Sequence, residues 1–155
     1  MNLSENNIGG YQSSSGKLIP TPDGPKAIAY ALRTNSALTD LDLRNNSLND
    51  AGISAIFEAI VDNRKTKLTS LNISGNAVGP AGSEAVTAMV QRNLLTVLNA
   101  KNMQIGSETA NDLVEALHVN HSLKKLDLSK NRLDKKSTAL LKAAAKEREG
   151  LELLL

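Results

Sequence analysis

Apolar residues recur along this chain in two alternating arrangements. In the first, aliphatic residues occupy the first, fourth, sixth and eleventh positions of the pattern Leu-x-x-Leu-x-Leu-x-x-Asn-x-Leu, with a polar residue between the fourth and the sixth. This alternation places successive side chains on opposite faces, which predicts a short β-strand with one buried face. In the second, apolar residues follow a glycine at intervals of three and four, which predicts an amphipathic helix.

The strand pattern recurs at nearly constant spacing. Four complete copies begin 30, 27 and 28 residues apart, at Leu38, Leu68, Leu95 and Leu123. A shortened copy near the start contains Leu3, Asn6 and Ile8. The last residues match a further copy with Leu151 and Leu154 in its first and fourth positions. The spacing predicts one repeat domain over residues 1–155, with repeats 1–37, 38–67, 68–94, 95–122 and 123–150 and the start of another at 151–155.

A helical block follows each strand pattern, and an insertion precedes the first block. Gly24 and Gly52 open the first two blocks. Gly24 lies sixteen positions after Ile8, whereas Gly52 lies four positions after Leu48, so the first repeat carries twelve extra residues. The insertion covers about residues 9–23 and is rich in Gly, Ser and Pro, which predicts a flexible loop.

Repeats of this length, each with a strand and an alanine-rich helix, make nearly the whole chain resemble the leucine-rich repeats of ribonuclease inhibitor. The resemblance implies an α/β fold, a right-handed solenoid of horseshoe shape with parallel strands on the concave face and helices on the convex face. End repeats of a solenoid need polar caps over the shared core. Neither end of this chain shows one, so we expect it to be part of a larger protein, with end-to-end self-association as the alternative.

The ninth position of the strand pattern predicts a ladder of buried asparagines. Asn46, Asn76 and Asn131 occupy this position, and Asn6 occupies it in the shortened copy. A buried amide can bond the backbone groups at the bend after each strand, so the predicted role is structural. Repeat 95–122 has Met103 instead, and we expect this repeat to be locally distorted and the least protected against hydrogen exchange.

Polar residues alternate with the leucines of the strands and predict that one face of the sheet is open. Parallel sheets covered on both sides have continuous apolar strands, so the alternation indicates a face available to a partner. Its predicted partner-binding residues, besides the apolar Val97, are Asp40, Asp42, Arg44, Asn72, Ser74, Asn99, Lys101, Lys125, Asp127 and Lys130. Their charge changes from acidic to basic along the array, a gradient that steers a partner of opposite charge.

Composition argues against several other functions. The chain has no cysteine, a net charge of +2 and three aromatic residues, Tyr11, Tyr30 and Phe57. Nucleic-acid-binding faces combine basic with aromatic stacking residues, so a nucleic-acid partner is not expected. No apolar run is long enough for a membrane span and no signal peptide is evident, so we expect a cytoplasmic protein with no membrane partner.

The two histidines are the strongest candidates for chemistry. His118 and His121 have the spacing of a metal-binding pair. Repeat alignment places both in outward polar positions, and neither a third ligand nor a carboxylate in the same turn is evident. The sequence therefore predicts no catalytic residue, no metal site and no cofactor.

These features predict a non-catalytic protein–protein interaction module that serves as a scaffold, with a protein partner of unknown identity. The resemblance leaves three alternatives open. Similar repeats occur in the GTPase-activating protein of Ran, in actin pointed-end cappers of the tropomodulin type and in nucleotide-binding immune receptors. No residue selects among them, because function resides in sites built on a fold and not in the fold itself.

Overall fold

The chain alternates strands and helices throughout. A computed structural model describes residues 1–155 and contains seven strands and five α-helices. The strands are β1 Gly10–Gln12, β2 Leu18–Pro20, β3 Asp40–Asp42, β4 Ser70–Asn72, β5 Val97–Asn99, β6 Lys125–Asp127 and β7 Glu152–Leu154. The helices are α1 Asp23–Leu32, α2 Asp50–Asp62, α3 Pro80–Gln91, α4 Ala110–Val119 and α5 Lys135–Lys146. Strands β3 to β7 form one parallel sheet in sequence order, whereas β1 and β2 form an antiparallel hairpin.

The register of the parallel sheet aligns the repeats. Leu41, Leu71 and Leu98 are consecutive partners in β3, β4 and β5, and Leu126 follows in β6. All four side chains are buried. The predicted side-by-side arrangement of these leucines, and with it the α/β solenoid, is confirmed.

The last strand corrects the sequence alignment by one residue. Leu153 pairs with Leu126, and Leu154 pairs with Asp127, so the assignment of Leu154 to the buried column is wrong. The repeat is one residue shorter than that assignment requires, since 27 positions separate the partners Lys125 and Glu152. Side chains alternate between faces, so the shift turns Leu154 outwards, with 36% of its surface exposed.

One apolar core lies between the sheet and the helices. Each helix packs against the next in sequence order, and thirty buried residues form a single cluster that draws on every repeat. Because neighbouring repeats share this core, each repeat is stabilised largely by its neighbours. None of the helices has the length and apolar composition of a membrane span.

The first residues continue the sheet beside β3. Asn2 forms an isolated parallel bridge with Asp42, and the Leu3 amide donates to the Asp42 carbonyl at 2.8 Å. Leu3 therefore takes the place that Leu43 has in the next repeat, as the shortened copy of the pattern predicts.

The segment predicted to be a flexible loop is a hairpin. Strands β1 and β2 lie within residues 9–23, so that prediction is wrong. Main-chain hydrogen bonds hold the base of the hairpin: the Gly9 amide donates to the Asn46 carbonyl at 2.8 Å, and the Thr21 amide donates to the Gly9 carbonyl at 2.9 Å. The base is also tightly packed, because a Cβ on Gly9 would lie 2.6 Å from the Ser47 carbonyl oxygen.

Repeat 95–122 differs from its neighbours where its helix begins. A 3-10 turn, Ser107–Thr109, precedes α4, which has 10 residues against 13 in α2 and 12 in α3. No side chain caps this turn or α4, whereas the Asn49 side chain accepts from the Gly52 amide at the start of α2. The irregular start coincides with Thr109, which stands where the three preceding repeats have Gly24, Gly52 and Gly82 and the following repeat has Ser137.

Candidate interaction face

Three columns of side chains cover the side of the sheet that faces away from the helices. The first column holds Asp40, Ser70, Val97, Lys125 and Glu152. The second holds Asp42, Asn72, Asn99, Asp127 and Leu154. The third lies just beyond the strands, where main-chain bonds align the turns, and holds Arg44, Ser74, Lys101 and Ser129. We define these residues as the open sheet face; all are exposed or half-buried, whereas the leucine column is buried.

Two of its three cations are already paired. The Lys125 ammonium donates to both carboxylate oxygens of Glu152 at 3.0 Å, and Arg44 Nε lies 3.6 Å from Asp42 Oδ2. Lys101 forms no ion pair. The free positive charge of the open sheet face is therefore concentrated at Lys101.

The predicted change from acidic to basic along the array is cancelled at its far end. Glu152 stands beside Lys125 in the first column, and Asp127 occupies the second column. Sequence reasoning missed Glu152 because it aligned the last repeat one residue too late. The five-strand register alone reveals that this end carries both signs of charge.

Lys130 lies at the rim of the sheet and not on its face. Its φ of 59° is left-handed, like those of Asn45, Gly75 and Asn102 at the same place in the other repeats. Ser129 takes the face position instead. The sequence contains this signal, since Ser129 directly follows the buried Leu128, as Arg44 follows Leu43.

Several predicted binding residues also hold the turns after their own strands. The Asp42, Asn72 and Asp127 side chains accept from the amides two residues later, at 3.0, 3.1 and 2.9 Å. These side chains are half-buried. A substitution there would disturb the turn as well as any contact with a partner, so Lys101 is the cleaner probe of binding.

The asparagine ladder lies behind the open sheet face and joins successive repeats. Asn76 is fully buried; its Oδ1 accepts from the Asn46 and Leu48 amides at 2.9 and 3.0 Å. Its Nδ2 donates to the Ile73 and Leu43 carbonyls at 2.7 and 3.0 Å. One side chain thus satisfies four backbone groups, three of them in the preceding repeat.

The other asparagines make the same kind of contacts with different burial. Asn46 is fully buried, and its Oδ1 accepts from the Asn6 amide at 2.9 Å. Asn131 is half-buried, and its Oδ1 accepts from the Met103 and Ile105 amides at 2.9 and 3.1 Å. Asn6 is exposed and donates to the Ser4 carbonyl at 2.8 Å.

Met103 interrupts the ladder. Its side chain is fully buried and brings no polar atom to the turn. The Val78 amide donates to the Met103 main-chain carbonyl at 2.9 Å, in place of the side-chain bond made at Asn76. Backbone pairing thus replaces part of what the amide supplies elsewhere.

The two histidines meet carboxylates that the sequence did not place beside them. His118 Nε2 lies 3.5 Å from Glu147 Oε2, and both line a polar depression of about 340 Å³ with His121, Arg148 and Glu149. The glutamates lie in the turn just after α5, so repeat stacking brings them close and local spacing does not reveal them. No group of three or more His, Asp or Glu side chains has a geometry that could hold a metal ion.

Comparison with known proteins agrees with the repeat geometry. Three segments, residues 34–57, 64–86 and 119–136, match the Leucine Rich repeat family model. The chain therefore carries leucine-rich repeats, and its fold is a leucine-rich-repeat solenoid. No curated protein matches the chain significantly.

Two solved structures share the fold. One is described as "Leiomodin-1 Actin-Binding Site 2 (ABS2)"; it is 21% identical, with 94% of this chain and 81% of that chain covered at a TM-score of 0.65. The other is the tropomodulin C-terminal domain of Caenorhabditis elegans, 14% identical, with the same coverages and a TM-score of 0.65. At these identities the likeness shows the fold alone.

Proposed function

We propose that this chain is a non-catalytic protein-interaction module and that its working surface is the open sheet face. The observation that supports it is a five-stranded parallel sheet with helices on one side only. Parallel sheets are normally covered on both faces. A second protein can cover the polar columns of this one without disturbing the core.

The middle of the open sheet face defines the chemistry of the contact. Ser70, Asn72, Ser74 and Asn99 present hydroxyl and amide groups around the unpaired Lys101. Such groups can bond both donors and acceptors of a partner, and a carboxylate placed at Lys101 would gain a charge-assisted bond. We infer a partner whose contact surface is polar and carries an acidic residue opposite Lys101.

Actin is the first partner to test. One of the two similar structures is described as an actin-binding site, and the cytoskeletal alternative was already open from the repeat type. A cysteine-free chain also suits the reducing cytoplasm, where we place the protein. We also propose that the repeats are of the ribonuclease-inhibitor subtype and that successive repeats begin at residues 38, 68, 95 and 123.

The test compares the wild type with a variant in which Arg44, Lys101 and Lys125 are all changed to alanine. Binding to monomeric and filamentous actin is measured by fluorescence titration and co-sedimentation. We expect the variant to bind at least about tenfold more weakly, with Lys101→Ala alone giving most of the loss.

A matched control changes three exposed cations outside the face, Lys26, Lys65 and Lys124, to alanine. This control should bind as the wild type does. Equal affinities for all three proteins would exclude the open sheet face as the binding surface. No binding of the wild type to either form of actin would remove actin as the partner.

A further inference from the structure

A groove on the helical side of the solenoid forms a second surface, separate from the open sheet face. It runs between α2 and α3 and has a volume of about 500 Å³. Its floor includes Phe57, Val61, Ala85 and Met89, of which Phe57 is the only phenylalanine in the chain and is 4% exposed. Ala81, Ala85 and Ala88 of α3 are small, so a shallow apolar strip of these alanines and the half-buried Val61 lies open above the buried Phe57 and Met89.

The rim of the groove is acidic. Glu58 and Asp62 on α2 and Glu84 on α3 line it, and all three are exposed and form no ion pair. Arg92 is the one cation in the lining. The two helices follow parallel strands and point the same way, so their carboxyl ends add negative potential at the Asp62 end.

The shape of the groove favours a helix as its occupant. The groove extends over positions 54 to 62 of α2, which is about 12 Å at the rise of an α-helix. Its helical walls have their backbone groups bonded internally, so they offer no main-chain partner to an extended segment. A helix satisfies its own backbone and needs only side-chain contacts, so about two to three helical turns would fit.

The same chain carries a helix with the complementary surface. The outward ridge of α5 holds four lysines and no acidic residue, with small apolar side chains between them: Lys135, Lys136, Ala139, Lys142, Ala143 and Lys146. All are exposed, and none of the lysines forms an ion pair. Leu140 beside this ridge is 38% exposed, an apolar side chain suited to the groove floor.

We propose that the α5 ridge of a second copy of this chain occupies the groove between α2 and α3. The ridge lies antiparallel to the two helices, which puts Lys135 and Lys136 at their carboxyl ends. Lysines of the ridge face Glu58, Asp62 and Glu84, and its alanines and Leu140 cover the groove floor. The two surfaces differ, so the contact is heterologous and leaves a free groove and a free ridge for further copies.

Exchanging the charges of the two surfaces tests the contact. One variant carries Glu58→Lys and Glu84→Lys, and the other carries Lys136→Glu and Lys146→Glu. Sedimentation velocity is run from about 10 µM to about 1 mM protein at low salt, the range in which a contact of this small area forms. We expect the wild type to associate and each variant alone to associate at least about tenfold more weakly.

An equimolar mixture of the two variants should recover the wild-type association. In the mixture, each reversed groove meets a reversed ridge, and each native groove meets a native ridge. A matched control with Asp112→Lys and Glu115→Lys on α4, outside the groove, should associate as the wild type does. All substituted side chains are exposed, and circular dichroism confirms that each variant is folded.

Three outcomes would overturn the proposal. A wild type that stays monomeric throughout would leave the groove to a helix of another protein. Association that neither reversal weakens would place the contact elsewhere, such as on the edges of the sheet. A mixture that does not recover would show that the two surfaces do not meet.

Discussion

Asn76, in the turn after β4, and Met103, in the turn after β5, bond the backbone of the preceding repeat in different ways. In the first, the buried Asn76 side chain bonds four backbone groups and ties its repeat to the preceding one. In the second, Met103 fills the same position with apolar volume, and a main-chain bond from the Val78 amide replaces part of the network. A solenoid thus tolerates the loss of one amide when the neighbouring backbone can pair instead.

The comparison extends to the helices that follow the two turns. α3 begins regularly with Pro80 in its first turn, whereas α4 is preceded by the 3-10 turn Ser107–Thr109 and is shorter. Repeat 95–122 therefore has a less regular helix start, and it supplies no side-chain amide to the turn of repeat 68–94. We expect these structural differences to appear as differences in stability.

The largest effect is expected for Asn76→Met, which would give the first turn the residue of the second. The Asn46 and Leu48 amides and the Ile73 carbonyl would lose their partner in a buried site, whereas the Leu43 carbonyl would keep the Asn46 Nδ2 donor. We expect the free energy of unfolding to fall by about 3 to 4 kcal/mol, measured by urea denaturation. A loss under about 1 kcal/mol would mean that backbone pairing can replace the amide anywhere in the array.

Asn131→Met should cost less than Asn76→Met. It would leave the Met103 and Ile105 amides unpaired, but Asn131 is half-buried, so water can reach part of the site. We expect a loss of about 2 kcal/mol in the same urea experiment. Equal losses for the two variants would show that burial does not set the contribution of each asparagine.

The reverse exchange, Met103→Asn, should be nearly neutral. It removes buried apolar volume but supplies an amide to the Asn76 turn, so the two effects offset to within about 1 kcal/mol. Met103→Ala is the control, because it removes the volume without adding the amide, and it should cost about 2 to 4 kcal/mol. If Asn and Ala at this position destabilise equally, the ladder cannot be restored in repeat 95–122.

Hydrogen exchange compares the two turns without any substitution. We expect the amides of residues 106–109 to exchange faster than those of residues 79–82, because a 3-10 turn lies in the first segment whereas α3 begins regularly at Pro80. Mass spectrometry of deuterated peptides measures the difference. Equal protection of the two segments would show that the irregular helix start does not loosen the repeat.

The smallest effect concerns the capped start of α5, which contrasts with the uncapped α4. The Asp134 carboxylate accepts from the Ser137 amide at 2.7 Å, and this bond lowers the pKa of Asp134 below its ordinary value of 3.8. A carboxyl whose pKa is lowered by folding contributes stability above its ordinary pKa, and this is lost as the pH falls through the lowered value.

Asp134→Ser keeps a cap but removes the titration, so it isolates this contribution. The wild type should lose its advantage over the variant as the pH falls below about 4, measured by thermal unfolding. Asp112→Ser, at an exposed position without such a bond, is the control. A difference independent of pH would exclude the charged cap.

Local spacing was sufficient where a repeat follows the common pattern. It predicted the leucine column Leu41, Leu71, Leu98 and Leu126, because four copies of one pattern fix the register of four strands. Local spacing failed where a residue was assigned to a neighbouring position of the repeat pattern. Leu154 and Lys130 were each placed one position wrong, and in a strand one position exchanges the two faces.

The sequence by itself determined the solenoid, since aliphatic residues at a period near 28 can be buried only by stacking repeats. It also determined which residues alternate outwards along each complete strand. Only the tertiary structure decided which charges meet. Glu152 beside Lys125, Glu147 beside His118 and the groove between α2 and α3 join residues of different repeats. Their approach depends on how helices and strands of unequal repeats pack, and no local pattern encodes that.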